Sequence, residues 1–370
     1  MKIVYILKKG FQHYPPCLTE VLTLADAKKP LCVYHGKNTP YIDALFERRG
    51  IEHHTLSSDK NPDNEKKSKL ARGRLFLDYV LECRRVLRGL PKDASVWFGN
   101  AESAAPATAG LLRDRKTVFS VLELYENGEF LDRRLAALLP HASAVIARES
   151  HRAALMKVRY GLSEMPLVAP NKPYEGELPD TPPLPDDVGK TLAPLREKRL
   201  ILYQGIVTPD RPLDAVAAAL RSLGDRENVF LVLGRADDAE KDRLRGIWQE
   251  TVFLGFLPAP LHLGVTRLAS VGIANYDASS ENNIFCAPNK IYEYARYGVP
   301  MLTSQNIGLT ETVGAYGAGE CVDFSDGDAV TDALSRLLSE RYRYEVSARR
   351  MYKDTSPAPA ILSAAKKTEM

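Results

Sequence analysis

The chain has 370 residues, more than one hydrophobic core usually organises, so two domains are expected. A formal net charge of +3, with 26% charged and 45% hydrophobic residues, is that of an ordinary globular protein, and no basic tract interleaved with aromatics marks a nucleic-acid binder. No apolar run approaches the roughly 18 residues of a membrane span, the start at 2–7 is too short for a signal-peptide core, and the five scattered cysteines contain no CxxC pair, which suggests a reducing cytoplasm and no zinc site.

In the first half, short apolar runs at 2–7, 31–34, 95–98, 117–122 and 144–147 are buried-strand candidates. Helical patterns lie between them over 18–25, 41–49, 102–112, 131–139 and 150–160. From 60 to 92, ten basic residues outnumber four acidic ones. Phe76, Tyr79, Val80, Cys83, Leu87 and Leu90 give the same segment one apolar stripe, so it reads as a packed helix with a basic outer side. Such a face is either simply solvated or attracted to an anionic membrane surface. Gly10 follows the first strand and lets a ligand approach the backbone, with His13 beside it as a ligand contact or plain polar surface. Glu123 ends a strand, where it can position or deprotonate a hydroxyl, or be satisfied by a neighbouring basic group.

Six prolines between 171 and 199 break the pattern, as in an exposed linker. Strands then resume at 200–203, 229–233, 252–254, 271–274 and 300–303, with helices over 213–223, 239–248, 258–268, 288–297 and 328–338. Alternation of this kind predicts an α/β fold in two doubly wound domains, with the carboxyl ends of parallel strands lining a crevice. Three strands end in glycine turns, at Gly205, Gly234 and Gly255, and each brings a side chain to that edge: Arg211, Arg235 and Phe256. Asp326-Gly327-Asp328 has the acid-x-acid form of a metal site, but a turn and helix cap explain it.

The segment from Cys286 to Tyr294 is the most distinctive. Pro288 suits the first helical position, while Cys286 and Ala287 are poor caps, so the amides from Asn289 onward need another partner. Lys290 in the first turn opposes the helix dipole, which an anionic ligand would offset. Lys290 and Glu293 share one stripe and Ile291 and Ala295 another; the plain alternative is a solvated Lys290–Glu293 pair worth about 0.2 to 0.5 kcal/mol.

Together these motifs carry a resemblance. Tyr203-Gln204-Gly205, Leu233-Gly234, Phe253-Leu254-Gly255, Ala274-Asn275-Tyr276, Pro288 to Tyr294, Gly298-Val299-Pro300 and 308–311 resemble, in that order, the nucleotide-sugar domain of GT-B glycosyltransferases, family 4 of the surface-polysaccharide type in particular. Val4 to Gly10, Leu122-Glu123-Leu124 and 168–173 are similar to the acceptor domain of the same enzymes. The resemblance implies two Rossmann-like domains facing a central cleft: 1–172 on the acceptor side, a linker at 173–198, a donor domain at 199–340, and closing helices at 341–370 that cross back to the first domain. It implies a cytoplasmic enzyme moving a hexosyl group from a UDP- or GDP-type sugar to a glycan or polyprenyl-linked acceptor, with retention and without a metal or other cofactor.

By position, Glu293 matches the acid that holds the donor ribose, and the backbone after Ala287, at Asn289, Lys290 and Ile291, matches the pyrophosphate cradle. Arg211 matches the cation that neutralises the leaving phosphate, Lys290 supplies a second, and Gly205, Arg235, Gly255 and Phe256 complete the donor side. Gly10 and His13 fall on the acceptor side, with Glu123 as the catalytic candidate there. Two departures stand out: Phe285 occupies a position, eight before Glu293, where an acid is frequent, leaving Glu281 as its substitute by another loop path, and Ile206 replaces a usual arginine. They keep two rivals in view, a GT-B nucleotide-sugar epimerase and a degenerate, non-catalytic partner subunit. An epimerase needs acids and a histidine together, and the seven histidines form no evident set with acids in the sequence.

Overall fold

The computed structural model describes residues 2–58, 69–177, 183–208 and 211–369. Lys60, Asp63, Glu65, Lys66 and Lys67 of the basic run, Pro179 and Pro182 of the linker, and Pro209 and Asp210 of the first glycine turn lie outside them. The chain divides into two compact units, one formed by Met1–Tyr174 with Ser356–Met370 and the other by Glu175–Thr355.

The first unit is built on a parallel sheet of β1 (Ile3–Leu7), β2 (Leu31–His35), β3 (Glu52–Thr55), β4 (Ser95–Phe98), β5 (Thr117–Ser120), β6 (Ala144–Ala147) and β7 (Leu167–Val168), in the order β3-β2-β1-β4-β5-β6-β7. The central strands are buried throughout, as expected where helices cover both faces. The sequence pattern missed β3 and β7 because edge strands need no apolar run: β3 is a largely exposed Glu-His-His-Thr and β7 has two residues. The helix expected over 102–112 is two short ones, Ala101–Ala104 and Ala109–Leu112. Pro106 cannot donate the hydrogen bond a continuous helix requires there, and Asn100 and Thr108 cap the two pieces by accepting from the amides of Ser103 and Leu111. The basic segment is the helix Lys69–Gly89, which buries Tyr79, Cys83 and Leu87 and exposes Leu77 and Leu81. Among the described residues no helix is long and apolar enough to cross a membrane.

An ion pair lies inside this unit. Glu20, on the helix Pro15–Asp26, accepts from Arg148 at 2.5 Å, from the Tyr5 hydroxyl at 2.6 Å and from Ser120 at 2.7 Å, all buried. Three donors around one carboxylate are what allow a charge to stay in an apolar interior.

The second unit contains β8 (Arg199–Gln204), β9 (Asn228–Leu233), β10 (Thr251–Gly255), β11 (Val271–Ala274), β12 (Met301–Ser304) and β13 (Gly319–Val322), all parallel, in the order β10-β9-β8-β11-β12-β13. Side chains alternate between two cores: Leu200, Leu202, Val229 and Leu231 face Ile291 and Ala295, whereas Ile201, Tyr203, Phe230 and Val232 face Val216 and Leu220. The half-buried edge strand β13 was not evident from the sequence.

Two segments differ from the expected division. Within 173–198 the chain forms a helix, Asp186–Leu192, and a 3-10 turn, Ala193–Leu195, with Val188 and Leu192 in the second unit's core. Pro185 and Pro194 stand at helix starts, where proline is compatible, so they begin these turns instead of breaking them. After residue 340, the helix Arg341–Asp354 stays with the second unit and puts Ala348 and Met351 in its core. Only Ala358–Glu369 joins the first, because its apolar face, Ile361, Ala364 and Ala365, completes that core.

Candidate functional site

In the second sheet the strand order runs outward in opposite directions from the β8/β11 boundary, which opens a crevice at the carboxyl ends of those two strands. Chain turns bring side chains there. Gly205 follows β8 with φ +144°, and a Cβ on it would lie 3.2 Å from the Lys290 ammonium. Gly234 follows β9 with φ +153°, and a Cβ there would fall 1.8 Å from the Gly205 carbonyl oxygen. Both positions therefore require glycine, one for a close cation and one for the neighbouring turn.

Pro288 is the residue before the helix Asn289–Arg296, one position earlier in the helix frame than expected, and its ring offers no oxygen to cap the start. The helix buries Lys290, Ile291, Tyr292, Tyr294 and Ala295. Tyr294 passes over Gly272, where a Cβ would meet its ring at 2.6 Å, and its hydroxyl donates to Leu202 and Ile273 carbonyls at 3.0 and 3.3 Å. That contact fixes the helix against the switch point. Burial pushes the Tyr294 phenol well above its ordinary pKa, so it remains a donor.

Lys290 is not a solvated surface residue. Its Nζ sits over the rings of Tyr203, at 4.4 Å, and Tyr276, at 5.2 Å. The Arg211 guanidinium reaches the same Tyr276 ring at 5.1 Å. Two cations thus converge on one aromatic residue just beyond β11. An aromatic face attracts a cation without cancelling its charge.

Glu293 is on the same helix, and its carboxylate accepts from the Gln204 amide and lies 3.2 Å from His262 Nε2. Gln204 is oriented in turn by Thr266, whose hydroxyl donates to its carbonyl at 2.8 Å. The structure brings Gly205, Arg211, Lys290 and Glu293 to the β8/β11 crevice, with Asn289 and Ile291 in the adjoining helix and buried Ala287 just before it. Arg235 stacks on Phe256 at 5.5 Å beyond β9 and β10, outward from that boundary, and Gly255 makes its turn with φ +70°. Glu281 begins the short helix Glu281–Ile284 and is exposed, while Phe285 ends that helix. Asp277, nearer the strand end, ties this loop together by accepting from Ser279 at 2.6 Å and Asn283 at 2.8 Å. Partial burial would raise its pKa, but these hydrogen bonds hold the carboxyl below its ordinary value. Asp326 caps the helix Gly327–Ser339, accepting from the Ala329 amide at 3.0 Å, which accounts for the acid-x-acid sequence.

In the first unit, Gly10 serves internal packing: a Cβ would meet the Lys37 carbonyl oxygen at 2.1 Å and the Gln12 amide at 2.5 Å, so the space expected for a ligand is filled by the chain itself. His13 is exposed at the end of the 3-10 turn Phe11–His13. Glu123 is exposed beyond β5, and Lys8 Nζ lies 3.3 Å from Glu102 beyond β4. Burial, with Glu102 and Glu123 nearby, raises the Tyr14 phenol and the Tyr125 phenol, so acids and hydroxyls collect at this strand edge.

His262 was missed as a partner of Glu293. It lies on a five-residue helix, His262–Thr266, separated from Glu293 by one strand and one short helix in sequence, and nothing in its spacing signals the contact. Tyr276 and Gln204 belong to recognised motifs, but their roles appear only once the strands align.

Neither a protein-family model nor a curated protein sequence matches the chain. Solved structures do. The chain is similar to Anabaena Alr3699/HepE in complex with UDP, with 14% identity, full coverage of both chains and a TM-score of 0.68. A glycosyltransferase from Rickettsia africae matches with 13% identity, a TM-score of 0.68 and coverage of 99% of this chain and 97% of that one. The trehalose-6-phosphate synthase OtsA matches with 12% identity, a TM-score of 0.72 and coverage of 100% and 99%. The chain has the GT-B fold. In this GT-B protein both units carry Rossmann-like parallel sheets, as the motif order led us to expect.

Proposed function

We propose that the protein is a glycosyltransferase of family 4 character that transfers a hexosyl group from a nucleoside diphosphate sugar to a glycan or polyprenyl-linked acceptor, retaining configuration and using no metal. The observation that carries this is the convergence of Lys290 and Arg211 on Tyr276 at the β8/β11 switch point. There the two cations and the start of the helix Asn289–Arg296 supply positive potential for a diphosphate, the charge that grows as the sugar leaves. Glu293, poised by Gln204, is assigned to the ribose hydroxyls, and Glu123 to the acceptor hydroxyl. HepE has been crystallised with UDP and with UDP-glucose, and the E. coli neighbour with UDP-2-fluoro glucose, which favours UDP over GDP. Arg74, Arg85 and Arg88, with exposed Leu77 and Leu81, give the helix Lys69–Gly89 the composition of an anionic-membrane contact on the cytoplasmic side.

Titration calorimetry with UDP, UDP-glucose and GDP tests the assignment. Lys290→Ala and Arg211→Ala are each expected to weaken UDP binding by about tenfold or more, since hydrogen bonds to charged groups contribute roughly 1.5–3 kcal/mol. Circular dichroism should be unchanged. Equal affinity in wild type and both variants would reject the site. The His262–Glu293 pair supports one other reading, an epimerase, because it joins an acid and a histidine. Incubation with donor alone separates them: an epimerised sugar nucleotide identifies the epimerase, and product that appears only with acceptor identifies the transferase.

A further inference from the structure

The first unit holds a group of metal-ligating side chains that glycosyl transfer does not use. His35 ends β2, His53 lies in the adjacent β3, and Asp43 is in the first turn of Pro40–Arg48, the helix between those strands. In the parallel register Val33 pairs with His53 and His35 with Thr55, so the two imidazoles are diagonal neighbours on one face of the sheet. Their ring nitrogens meet, His35 Nε2 lying 2.9 Å from His53 Nδ1. One ligand atom from each of His35, His53 and Asp43 lies within 4.8 Å of the other two.

The surroundings orient these groups. His35 Nδ1 is 2.6 Å from the Gly36 carbonyl oxygen, which can only accept, so Nδ1 carries the proton and Nε2 presents its lone pair inward. Asn38 holds the carboxylate, its Nδ2 donating to Asp43 Oδ1 at 2.9 Å. Phe46 meets both histidine rings edge-on, at 5.9 and 5.4 Å between centroids, and limits their rotation. A cavity of about 460 Å³ adjoins the group, lined in part by Asn38, Asp43 and Thr55.

We infer that His35, His53 and Asp43 form a binding site for a divalent transition-metal ion of the zinc type, with its remaining coordination position open to this cavity. Two imidazoles and one carboxylate suit zinc or cobalt better than magnesium. The ion takes the place of the proton between the rings. His53 shifts that proton from Nδ1 to Nε2, so two nitrogen lone pairs face the ion with no net proton release. Tetrahedral bonds of about 2.0–2.1 Å hold the two nitrogens about 3.3 Å apart, so the rings separate by only a few tenths of an ångström. Cys32, Glu52 and His54 form another group on the opposite face of the same strands, but Lys2 Nζ stands 2.6 Å from Glu52 and already supplies a cation there. The cysteine pattern gave no hint of the proposed site because its ligands are not cysteines and come from three separate elements.

Titration of the chelator-treated full chain with Co²⁺ tests the inference. One ion per chain is expected, with the visible absorption of a four-coordinate nitrogen and oxygen site, no thiolate band in the near ultraviolet, and displacement by Zn²⁺. His53→Ala and Asp43→Asn should each weaken binding at least tenfold, while His54→Ala leaves it unchanged. Circular dichroism and melting check the variants; should His53→Ala unfold, His53→Gln, which keeps a polar group facing His35, replaces it. Stoichiometry near zero, full binding by folded His53 variants, or a thiolate band that implicates Cys32 would overturn the site.

Discussion

The two units share a Rossmann-like strand order but handle buried charge in opposite ways. In the first, Arg148 is matched by Glu20, and Tyr5 and Ser120 complete the carboxylate's hydrogen bonds. In the second, Lys290 is 8% exposed and set, with Arg211, against aromatic faces. An ion pair offsets its own charge, whereas an aromatic ring attracts a cation without neutralising it. The contrast teaches that topology alone does not set how charge is used: it is closed in an ion pair in one unit and set against aromatic rings in the other, where the proposed function has it meet a ligand.

The largest expected effect attacks the structural half of that contrast. Glu20→Ala strands Arg148 and should cost about 3–5 kcal/mol. Trp97 belongs to the first unit and Trp248 to the second, so urea unfolding in a Trp248→Phe background reads the first unit alone. An unchanged midpoint would erase the distinction. Gly234→Ala comes next: its φ of +153° and the 1.8 Å approach to the Gly205 carbonyl oxygen should cost about 1–3 kcal/mol. Trp248 fluorescence in a Trp97→Phe background should show the loss, and weaker UDP binding should accompany it because Gly205 must move.

The smallest effect concerns Glu149, which sits just past β6 and caps the helix Ser150–Arg159. Burial raises its pKa, but the amides of His151 and Arg152, both at 2.9 Å, outweigh that and hold it below the ordinary 4.5. Glu149→Ala should cost about 0.5–2 kcal/mol near neutral pH. Because the folded pKa is depressed, that contribution is complete above about pH 4.5 and is lost as pH falls through the folded value. Melting curves of wild type and variant should therefore converge on acidification; a constant gap would mean the cap does not depend on ionisation.

The buried strands were legible because parallel strands covered on both faces must be continuously apolar, as Val-Trp-Phe and Ala-Val-Ile-Ala show. The polar edge strand β3 and the half-buried β13 carry no such signal. At the site, Lys290 drew notice because it is misplaced for a helix dipole, and Glu293 because of its motif. Tyr276 and His262 act through contacts between elements distant in sequence, which periodicity does not encode. Pro185 and Pro194 misled for a local reason: composition marks a proline as a breaker, and only its position in the turn shows that it begins one.

The first unit is interrupted in sequence, since the chain leaves it after Tyr174 and returns at Ser356. On the ribosome, synthesis is vectorial. The nascent first unit must wait, with part of its core open, while all of the second unit is made, and it closes only when Ile361, Ala364 and Ala365 emerge. The second unit, contiguous in sequence, can finish first, so the order of completion is the reverse of the order in which translation begins the two units.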